Sequence, residues 1–151
     1  MKDTSSFTRR KFVKTSAAAV LGAPLIVKPS WTQGTDRSSA SDKINLGIIG
    51  CGGLGKANLF AAAEHSDVVV TAACDVWKER LDPVVDTYKN TCTGYSDYRD
   101  LLQHDGLDAV IIATPAHWHA IQAVEAARAG LHIYLQKPMT MHLAESLAVR
   151  N

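Results

Sequence analysis

Three glycines and one aspartate lie at a spacing that could hold a dinucleotide. Gly50, Gly52 and Gly55 form the pattern G-x-G-x-x-G, and Asp75 follows the last glycine by 20 residues. In such a pattern the first glycine allows a tight turn out of a strand, the second lets the backbone approach a pyrophosphate, and the third lets a helix pack closely on the strand. The aspartate would accept hydrogen bonds from ribose hydroxyls.

The segments around these residues have the order strand, turn, helix, strand. An apolar run over 44–49 precedes the turn, an alanine-rich stretch over 56–64 predicts a helix, and a β-branched run over 68–74 leads to Asp75. The same glycines could simply make a tight turn, but the complete β–α–β unit favours a dinucleotide site. The free N–H groups and the positive dipole end of the helix would then face the phosphates.

The residues near Asp75 favour NAD over NADP. A carboxylate at this position repels a 2′-phosphate, and no arginine follows it directly, since the next residues are Val76, Trp77 and Lys78. Lys78 or Arg80 could weaken this preference.

The rest of the body alternates in the same way, with a near-continuous apolar run over 107–113 that is typical of a strand buried on both faces. Further strands are expected at Tyr95 and over 107–113 and 131–135. Further helices are expected over 77–90, over 98–104, from Pro115 to about Ala129, and over 141–151. Pro83 predicts a break or a start within the first of these helices, and Thr114 is the expected N-cap of the third. This order predicts an α/β fold, a Rossmann-type doubly wound parallel sheet. Its ligand would bind at the carboxyl ends of the strands, where the glycine turn, 114–119 and 136–138 converge.

These three segments together resemble the Gfo/Idh/MocA oxidoreductase family, which includes glucose–fructose oxidoreductase and inositol dehydrogenase. The resemblance covers residues 43–151 and rests on the glycine turn, Cys74-Asp75, the sequence ATPAHWHA at 113–120 and QKP at 136–138. The last segment matches the family's Glu-Lys-Pro signature with Gln136 in place of glutamate.

The resemblance implies a two-domain enzyme whose N-terminal half binds NAD(P) and whose C-terminal α/β domain carries most of the substrate site. It implies hydride transfer at a sugar or polyol carbon, with Lys137 as a catalytic residue near the nicotinamide. Some exported relatives instead use bound NAD transiently to hydrolyse glycosides, so an NAD-dependent glycosidase remains an alternative.

The chain ends 14 residues after Lys137, so the fold is expected to be truncated before the family's C-terminal domain. We therefore expect the chain to bind a dinucleotide but to be inactive alone, with a sugar or polyol as substrate only if the missing domain is supplied. A non-catalytic nucleotide-binding fragment is the second alternative. An exposed sheet edge and apolar face would favour a homo-oligomer.

The cofactor contacts are expected from the glycine turn, the end of the second strand and the two later segments of the cleft. They are Gly50, Gly52, Gly53, Leu54, Gly55, Asp75, Thr114, Pro115, His117, His119, Gln136 and Lys137. Of the two histidines, one is expected near the cofactor and one in packing. No metal site is expected, because this H-x-H pair has no third ligand at a matching spacing.

The N-terminal segment predicts an export signal rather than part of the fold. Residues 1–40 carry seven Lys or Arg against two Asp, a net of +5, whereas 41–151 carry nine against thirteen Asp or Glu, a net of −4. The pair Arg9-Arg10 precedes an apolar stretch over 17–27, which is too short for a permanent membrane anchor. We interpret 1–40 as a Tat-type signal peptide and tether, and 43–151 as the dinucleotide-binding domain, placing the protein in the periplasm or outside the cytoplasm of a bacterium.

The body of the chain predicts neither a nucleic-acid partner nor a cysteine-based site. It carries no basic stripe and no basic patch interleaved with aromatic residues. Cys51, Cys74 and Cys92 are odd in number and widely spaced, and no C-x-x-C occurs. Such cysteines are expected to be free thiols rather than a disulfide framework or a zinc site.

Overall fold

Residues 42–150 are the part of the chain that the structure, a computed structural model, describes. Five strands and five helices alternate within this range. The strands are β1 (Ile44–Ile49), β2 (Val68–Cys74), β3 (Thr93–Tyr95), β4 (Ala109–Ile112) and β5 (His132–Leu135). The helices are α1 (Gly53–Ala63), α2 (Lys78–Thr87), α3 (Tyr98–Leu101), α4 (Ala116–Arg128) and α5 (Leu143–Arg150).

The five strands form one parallel sheet in the order β3-β2-β1-β4-β5. At the carboxyl end of β1, Ile49 is paired with Cys74 of β2 on one side and with Ile112 of β4 on the other. The chain winds from β1 outward to β3 and then, from β4, outward in the opposite direction to β5. The reversal between β1 and β4 is the switch point of a doubly wound sheet, so the predicted Rossmann-type α/β fold is confirmed.

Adjacent residues of the three inner strands, β1, β2 and β4, enter two separate cores, one on each face of the sheet. Ile48 packs in a cluster with Leu59 of α1 and Val84 of α2. The next residue, Ile49, packs in a cluster with Ala123 of α4 and with other residues of the opposite face. Since helices cover both faces, these inner strands are apolar on both sides, as in other buried parallel sheets.

Helix α2 runs through Pro83, where the sequence predicted a break or a start. A proline in the second turn removes only the N–H bond to the carbonyl four residues earlier, and the rest of the helix keeps its bonds. The Thr87 hydroxyl also donates to the Pro83 carbonyl at 2.7 Å. The prediction at Pro83 was therefore wrong, because one lost bond did not end the helix.

Helix α4 begins one residue later than predicted. Pro115 is the N-cap and Ala116 the first helical residue, whereas Thr114 was expected to cap the helix. The Thr114 hydroxyl instead donates to Gln122 Oε1 at 2.6 Å, so its side chain turns along the helix rather than toward the first-turn N–H groups.

None of the helices within 42–150 has both the length and the apolar character that crossing a membrane requires. The predicted signal segment, 1–40, lies outside the described residues.

Candidate functional site

The glycine turn leads from β1 into α1 and packs against the end of β4. Gly50 has φ +97°, and a Cβ there would lie 2.8 Å from the Ala113 carbonyl carbon. A Cβ on Gly55 would collide with the carbonyl oxygen of Gly50. The protein's own packing therefore requires glycine at both positions.

The packing of the protein does not in the same way require glycine at Gly52, the second glycine of the pattern. The nearest neighbour of a Cβ on Gly52 is Arg80 Nη1 at 3.8 Å, and a Cβ on Gly53 would meet nothing within 4 Å. A Cβ at Gly52 would thus make only an ordinary contact with the Arg80 side chain, and the open space beside Gly52 is the cavity that it lines. This fits a position kept free for a ligand's approach to the backbone.

Helix α1 presents its N-terminus to this open space. Its N-cap, Gly52, provides no side-chain hydrogen bond, and the first bond that closes on it runs from Lys56 N–H to the Gly52 carbonyl at 2.9 Å. The earlier N–H groups have no intrahelical acceptor, as at every helix start. Open space, free N–H groups and the positive end of a helix together fit a pyrophosphate.

Asp75 connects the end of β2 to the glycine turn. One carboxylate oxygen accepts from Cys51 N–H and the other from Trp77 N–H, each at 2.8 Å. A carboxylate has about four lone-pair sites, so both oxygens keep capacity for ribose hydroxyls. The side chain is half-buried, with a fixed orientation at the edge of the cleft.

A cavity of about 390 Å³ opens at the carboxyl ends of β1, β2 and β4. Its volume lies within the range of small-molecule sites. It is lined by Ile49, Gly50, Gly52, Cys74, Asp75, Val76, Trp77, Arg80, Ser96, Asp97, Tyr98, Arg99, Ala113, Thr114, Pro115, Trp118 and Gln122. Among the residues predicted to contact the cofactor, five line it: Gly50, Gly52, Asp75, Thr114 and Pro115. The others, Gly53, Leu54, Gly55, His117, His119, Gln136 and Lys137, lie outside its lining.

The far wall of the cavity is aromatic and is fixed by polar contacts. The rings of Tyr98 and Trp118 meet edge to face, with centroids 6.4 Å apart. The Tyr98 hydroxyl donates to Glu125 at 2.7 Å, and the Arg99 guanidinium lies 4.6 Å from the centre of the Tyr98 ring. Burial, and then the bond to Glu125, raise the pKa of Tyr98 to about 12, so this phenol stays protonated and holds the wall in place.

Arg80 lies on the side of the cavity next to Asp75. Its guanidinium is 4.4 Å from the centre of the Trp77 ring, and it lines the cavity near Gly52. Lys78 instead pairs with Asp82 on the exposed surface of α2, at 2.7 Å. Of the two cations that could soften the preference for NAD, only Arg80 faces the cavity.

His119 is buried, and both of its ring nitrogens are in contact with backbone carbonyl groups. Nδ1 lies 2.8 Å from the Pro138 carbonyl oxygen, and Nε2 lies 2.8 Å from the Thr114 carbonyl oxygen. This leaves no ring nitrogen for a cofactor, and His119 takes the packing role of the pair. His117 is exposed and its ring tilts against Trp118.

Gln136 and Lys137 follow directly after β5. Gln136 N–H donates to Ile112 at 2.9 Å, and the Gln136 side chain accepts from Lys137 N–H at 2.7 Å. Lys137 is exposed, and the bond between it and Pro138 is cis. The lysine therefore lies at the carboxyl edge of the sheet, beyond the residues that line the cavity.

The three cysteines are free and buried. Burial, and then the negative charge of Asp75, raise the pKa of Cys51 to about 12, and the same causes raise the pKa of Cys74 to about 12. Both thiols therefore stay protonated and unreactive beside the glycine turn. Within 42–150, no three His, Cys, Asp or Glu side chains lie together as a group that could hold a metal ion.

Two parts of the cavity were missed by the sequence reasoning. Residues 96–99 follow the carboxyl end of β3, and the rule that pointed to the ends of the other strands applies to this one too. Gln122 lies three residues after His119, on the same inward face of α4, so a polar residue at a buried helical position was a usable signal.

An open parallel sheet with a glycine turn at its switch point and an acid at the end of its second strand defines a dinucleotide-binding Rossmann protein. The family model described as "Oxidoreductase family, NAD-binding Rossmann fold" matches residues 44–150. The chain belongs to this family, Gfo/Idh/MocA, and its described part is an NAD-binding Rossmann domain of the family's oxidoreductases.

Three proteins with similar sequences or structures illustrate the kinds of protein that this chain resembles. A glycosyl hydrolase family 109 protein from Shewanella sp. strain ANA-3 is 31% identical over 164 residues, which cover 93% of this chain and 36% of the relative. The WlbA dehydrogenase from Bordetella pertussis, solved with NADH and UDP-GlcNAcA, has a TM-score of 0.67 at 31% identity, covering 72% of this chain and 32% of that one. KijD10, a 3-ketoreductase from Actinomadura kijaniata solved with NADP, has a TM-score of 0.64 at 28% identity, with 72% and 33% covered.

This chain therefore spans about a third of the length of each of these relatives. They include proteins solved with NADH and with NADP, so the likeness assigns the fold and the class of cofactor without choosing between the two.

Proposed function

We propose that this chain is the cofactor-binding part of an exported oxidoreductase that transfers hydride at a carbon of a sugar or polyol, and that its cofactor is NAD. The observation that carries the proposal is the cavity at the carboxyl ends of β1, β2 and β4, which is lined both by Gly52, the N-cap of α1, and by Asp75. When bound, NAD supplies the hydride acceptor. The UDP-GlcNAcA found with the relative from Bordetella pertussis supports a sugar-like substrate.

Lys137 is the residue of this chain that we assign to proton transfer. It follows β5 at the carboxyl edge of the sheet, where ligands of such folds bind. During oxidation of a hydroxyl, an amine at this place accepts the hydroxyl proton while the carbon loses hydride. Its neighbour Gln136 brings no charge to the site, and it binds the Lys137 N–H instead.

The preference for NAD rests on Asp75, with Arg80 acting against it. Asp75 offers acceptors to two ribose hydroxyls, and its charge repels a 2′-phosphate. Arg80 faces the same cavity, so we expect residual NADP binding that depends on this guanidinium.

Calorimetric titration of the chain with NAD and NADP tests these assignments. We expect NAD to bind more tightly, and Arg80→Ala to weaken NADP binding with little effect on NAD. Lys78→Ala is the matched control, because Lys78 pairs with Asp82 away from the cavity. Asp75→Ala should weaken NAD binding; an unchanged NAD affinity would show that the ribose assignment is wrong, and no binding of either dinucleotide would overturn the proposed function.

We propose further that the 151-residue chain alone binds NAD without reducing it, since its relatives are about three times as long. The remaining part of such relatives would then supply the substrate contacts. Incubating the chain with NAD and a panel of sugars and polyols should give no NADH absorbance. Substrate-dependent NADH formation would show that the 151 residues suffice.

An NAD-dependent glycosidase is the second candidate, and the likeness to a glycosyl hydrolase family 109 protein favours it. In a glycosidase the NAD is returned unchanged at the end of each turnover. A longer version of the protein would then release the leaving group from aryl glycosides without net formation of NADH, whereas an oxidoreductase would accumulate NADH.

Export by the twin-arginine route is the proposed localisation. It is supported by Arg9-Arg10 and the short apolar stretch over 17–27. A reporter fused after residues 1–40 should reach the periplasm, and replacing both arginines by lysine should hold it in the cytoplasm. Export that is unaffected by this replacement would exclude the twin-arginine route.

A further inference from the structure

The segment that carries Lys137 is tied to the body of the domain at two places. The first is at the end of the pairing between β4 and β5, where Gln136 N–H donates to the Ile112 carbonyl. The second is the Pro138 carbonyl, which lies 2.8 Å from His119 Nδ1. Lys137 lies between these two ties, and its own N–H is bonded only to the side chain of the preceding residue.

The other nitrogen of the His119 ring contacts the segment that follows β4. Nε2 lies 2.8 Å from the carbonyl of Thr114, which lines the cavity. Thr114 is in turn bonded through its hydroxyl to Gln122. His119 and Gln122 are the buried polar side chains of the described region, at 1% and 4% exposure, and both serve this edge.

We infer that His119 is a positioning residue for Lys137: its buried ring joins the Thr114 carbonyl to the Pro138 carbonyl and so fixes the lysine beside the cofactor cleft. The inference rests on the proposed function only for the role of Lys137. The contact itself follows from the two distances and from the burial of the ring.

The chemistry of the two acceptors strengthens the inference. A carbonyl oxygen only accepts, so the ring is the donor in any hydrogen bond that it makes to one. Each ring nitrogen lies at hydrogen-bond distance from a backbone oxygen that can accept from it. Buried polar groups of this kind are costly to leave without partners, which ties the ring to both segments.

Asparagine and glutamine at position 119 separate the two contacts. Asparagine places an amide nitrogen at about the position of Nδ1, so His119→Asn keeps the bond to Pro138. Glutamine places it at about the position of Nε2, so His119→Gln keeps the bond to Thr114. His119→Ala loses both, and His104→Ala is the matched control, because His104 is bonded to the Tyr95 hydroxyl at 2.8 Å and lies in a different part of the fold.

Amide hydrogen exchange of the chain without cofactor tests the tie itself. We expect exchange at Gln136 and Lys137, whose N–H groups are hydrogen-bonded, to become about 10-fold faster or more in His119→Gln and His119→Ala. It should stay near the wild-type rate in His119→Asn and His104→Ala. Equal rates in the asparagine and glutamine variants would overturn the inference, as would a uniform increase over the whole domain.

A double-mutant cycle in NADH affinity tests whether His119 acts through Lys137. If it does, Lys137→Ala and His119→Gln each weaken binding, but the double variant binds about as well as Lys137→Ala alone. If the fold-losses in NADH affinity of the two single variants multiply in the double variant, His119 acts independently of Lys137 and only supports the core. Failure of the wild-type chain to bind NADH would refute the proposed cofactor instead, and the exchange experiment would still decide the tie.

Discussion

A methyl group added to each of the three glycines of the pattern G-x-G-x-x-G would meet a different neighbour. At Gly50 it would press on the backbone of Ala113, and at Gly55 on the carbonyl of Gly50. At Gly52 it would extend into the cleft. Gly50 and Gly55 thus serve the fold, whereas Gly52 lines the cavity and serves whatever occupies the cleft.

Substitution by alanine should separate these roles. We expect Gly55→Ala to lower the free energy of unfolding by on the order of 3 kcal/mol, because backbone atoms must move apart. Gly52→Ala should change it by less than about 1 kcal/mol. Chemical denaturation measures both changes.

The same two variants should have the opposite order of effect on NAD binding: Gly52→Ala should weaken binding more than Gly55→Ala does, although it changes stability less. Gly52→Ala should weaken NAD binding about 10-fold or more, which corresponds to about 1.4 kcal/mol. Unchanged NAD affinity in a folded Gly52→Ala variant would contradict the assignment of the open space to a pyrophosphate.

At the scale of the element, α3 is the shortest helix in the described region and holds the aromatic wall. Its N-cap, Asp97, accepts from Arg99 N–H at 2.9 Å, and its first two residues, Tyr98 and Arg99, line the cavity. A helix of four residues gains little from its own hydrogen bonds, so it depends on the cap and on the packing of Tyr98.

Removing this cap should affect both stability and binding. We expect Asp97→Ala to lower the free energy of unfolding by about 1 kcal/mol and to weaken NAD binding, whereas Asp97→Asn should behave as wild type because asparagine caps equally well. Asp100→Ala, in the same helix, is the matched control. Thermal unfolding and calorimetric titration of the three variants check this; equal effects of Asp97→Ala and Asp100→Ala would refute it.

The sequence specified the long elements better than the short ones. β1 and β2 lie where their apolar runs placed them, because buried parallel strands leave a clear pattern. The start of α4 was misjudged because Thr114 had a partner, Gln122, that only the folded helix brings within reach. A strand was predicted at Tyr95, where β3 ends, but three residues carry too little pattern to show that this strand pairs with β2 and so brings residues 96–99 to the cavity.

The candidate site was predictable to a similar degree. The glycine turn and Asp75 follow from local spacing, since their roles depend on one β–α–β unit. Arg80 was also named from its place near Asp75. The position of Tyr98 in the cavity wall instead depends on which loops the sheet order brings together, and the role of His119 depends on a contact with Pro138, 19 residues away. Such tertiary contacts leave no pattern in the sequence.

At the scale of the whole molecule, the buried thiols make stability depend on pH in the alkaline range. The fold raises the pKa of Cys51 and Cys74 from 9.0 to about 12 and that of Cys92 to about 11, mainly by burial. Below pH 9 the thiols are protonated in both the folded and the unfolded chain and contribute nothing to the difference. Above it the unfolded chain releases protons that the folded chain keeps, so stability falls as pH rises.

We expect this decrease to be on the order of 1 kcal/mol per pH unit for each thiol between pH 9 and 11. Guanidinium chloride unfolding over this range measures it. The double variant Cys51→Ala, Cys74→Ala should show a clearly shallower dependence, whatever the contribution of other groups. Parallel curves for the variant and the wild type would mean that these thiols ionise equally in both states.

The two backbone bonds to Asp75 have a consequence for the cost of binding. Each carboxylate oxygen is already held by an N–H group, of Cys51 or of Trp77, before any ligand arrives. Side chains that become immobilised at an interface lose about 0.5–1.5 kcal/mol each in conformational entropy, and a side chain that is already fixed avoids this loss. The empty site should therefore have nearly the shape of the occupied one, and the cofactor should enter a receptor that is already arranged to receive it.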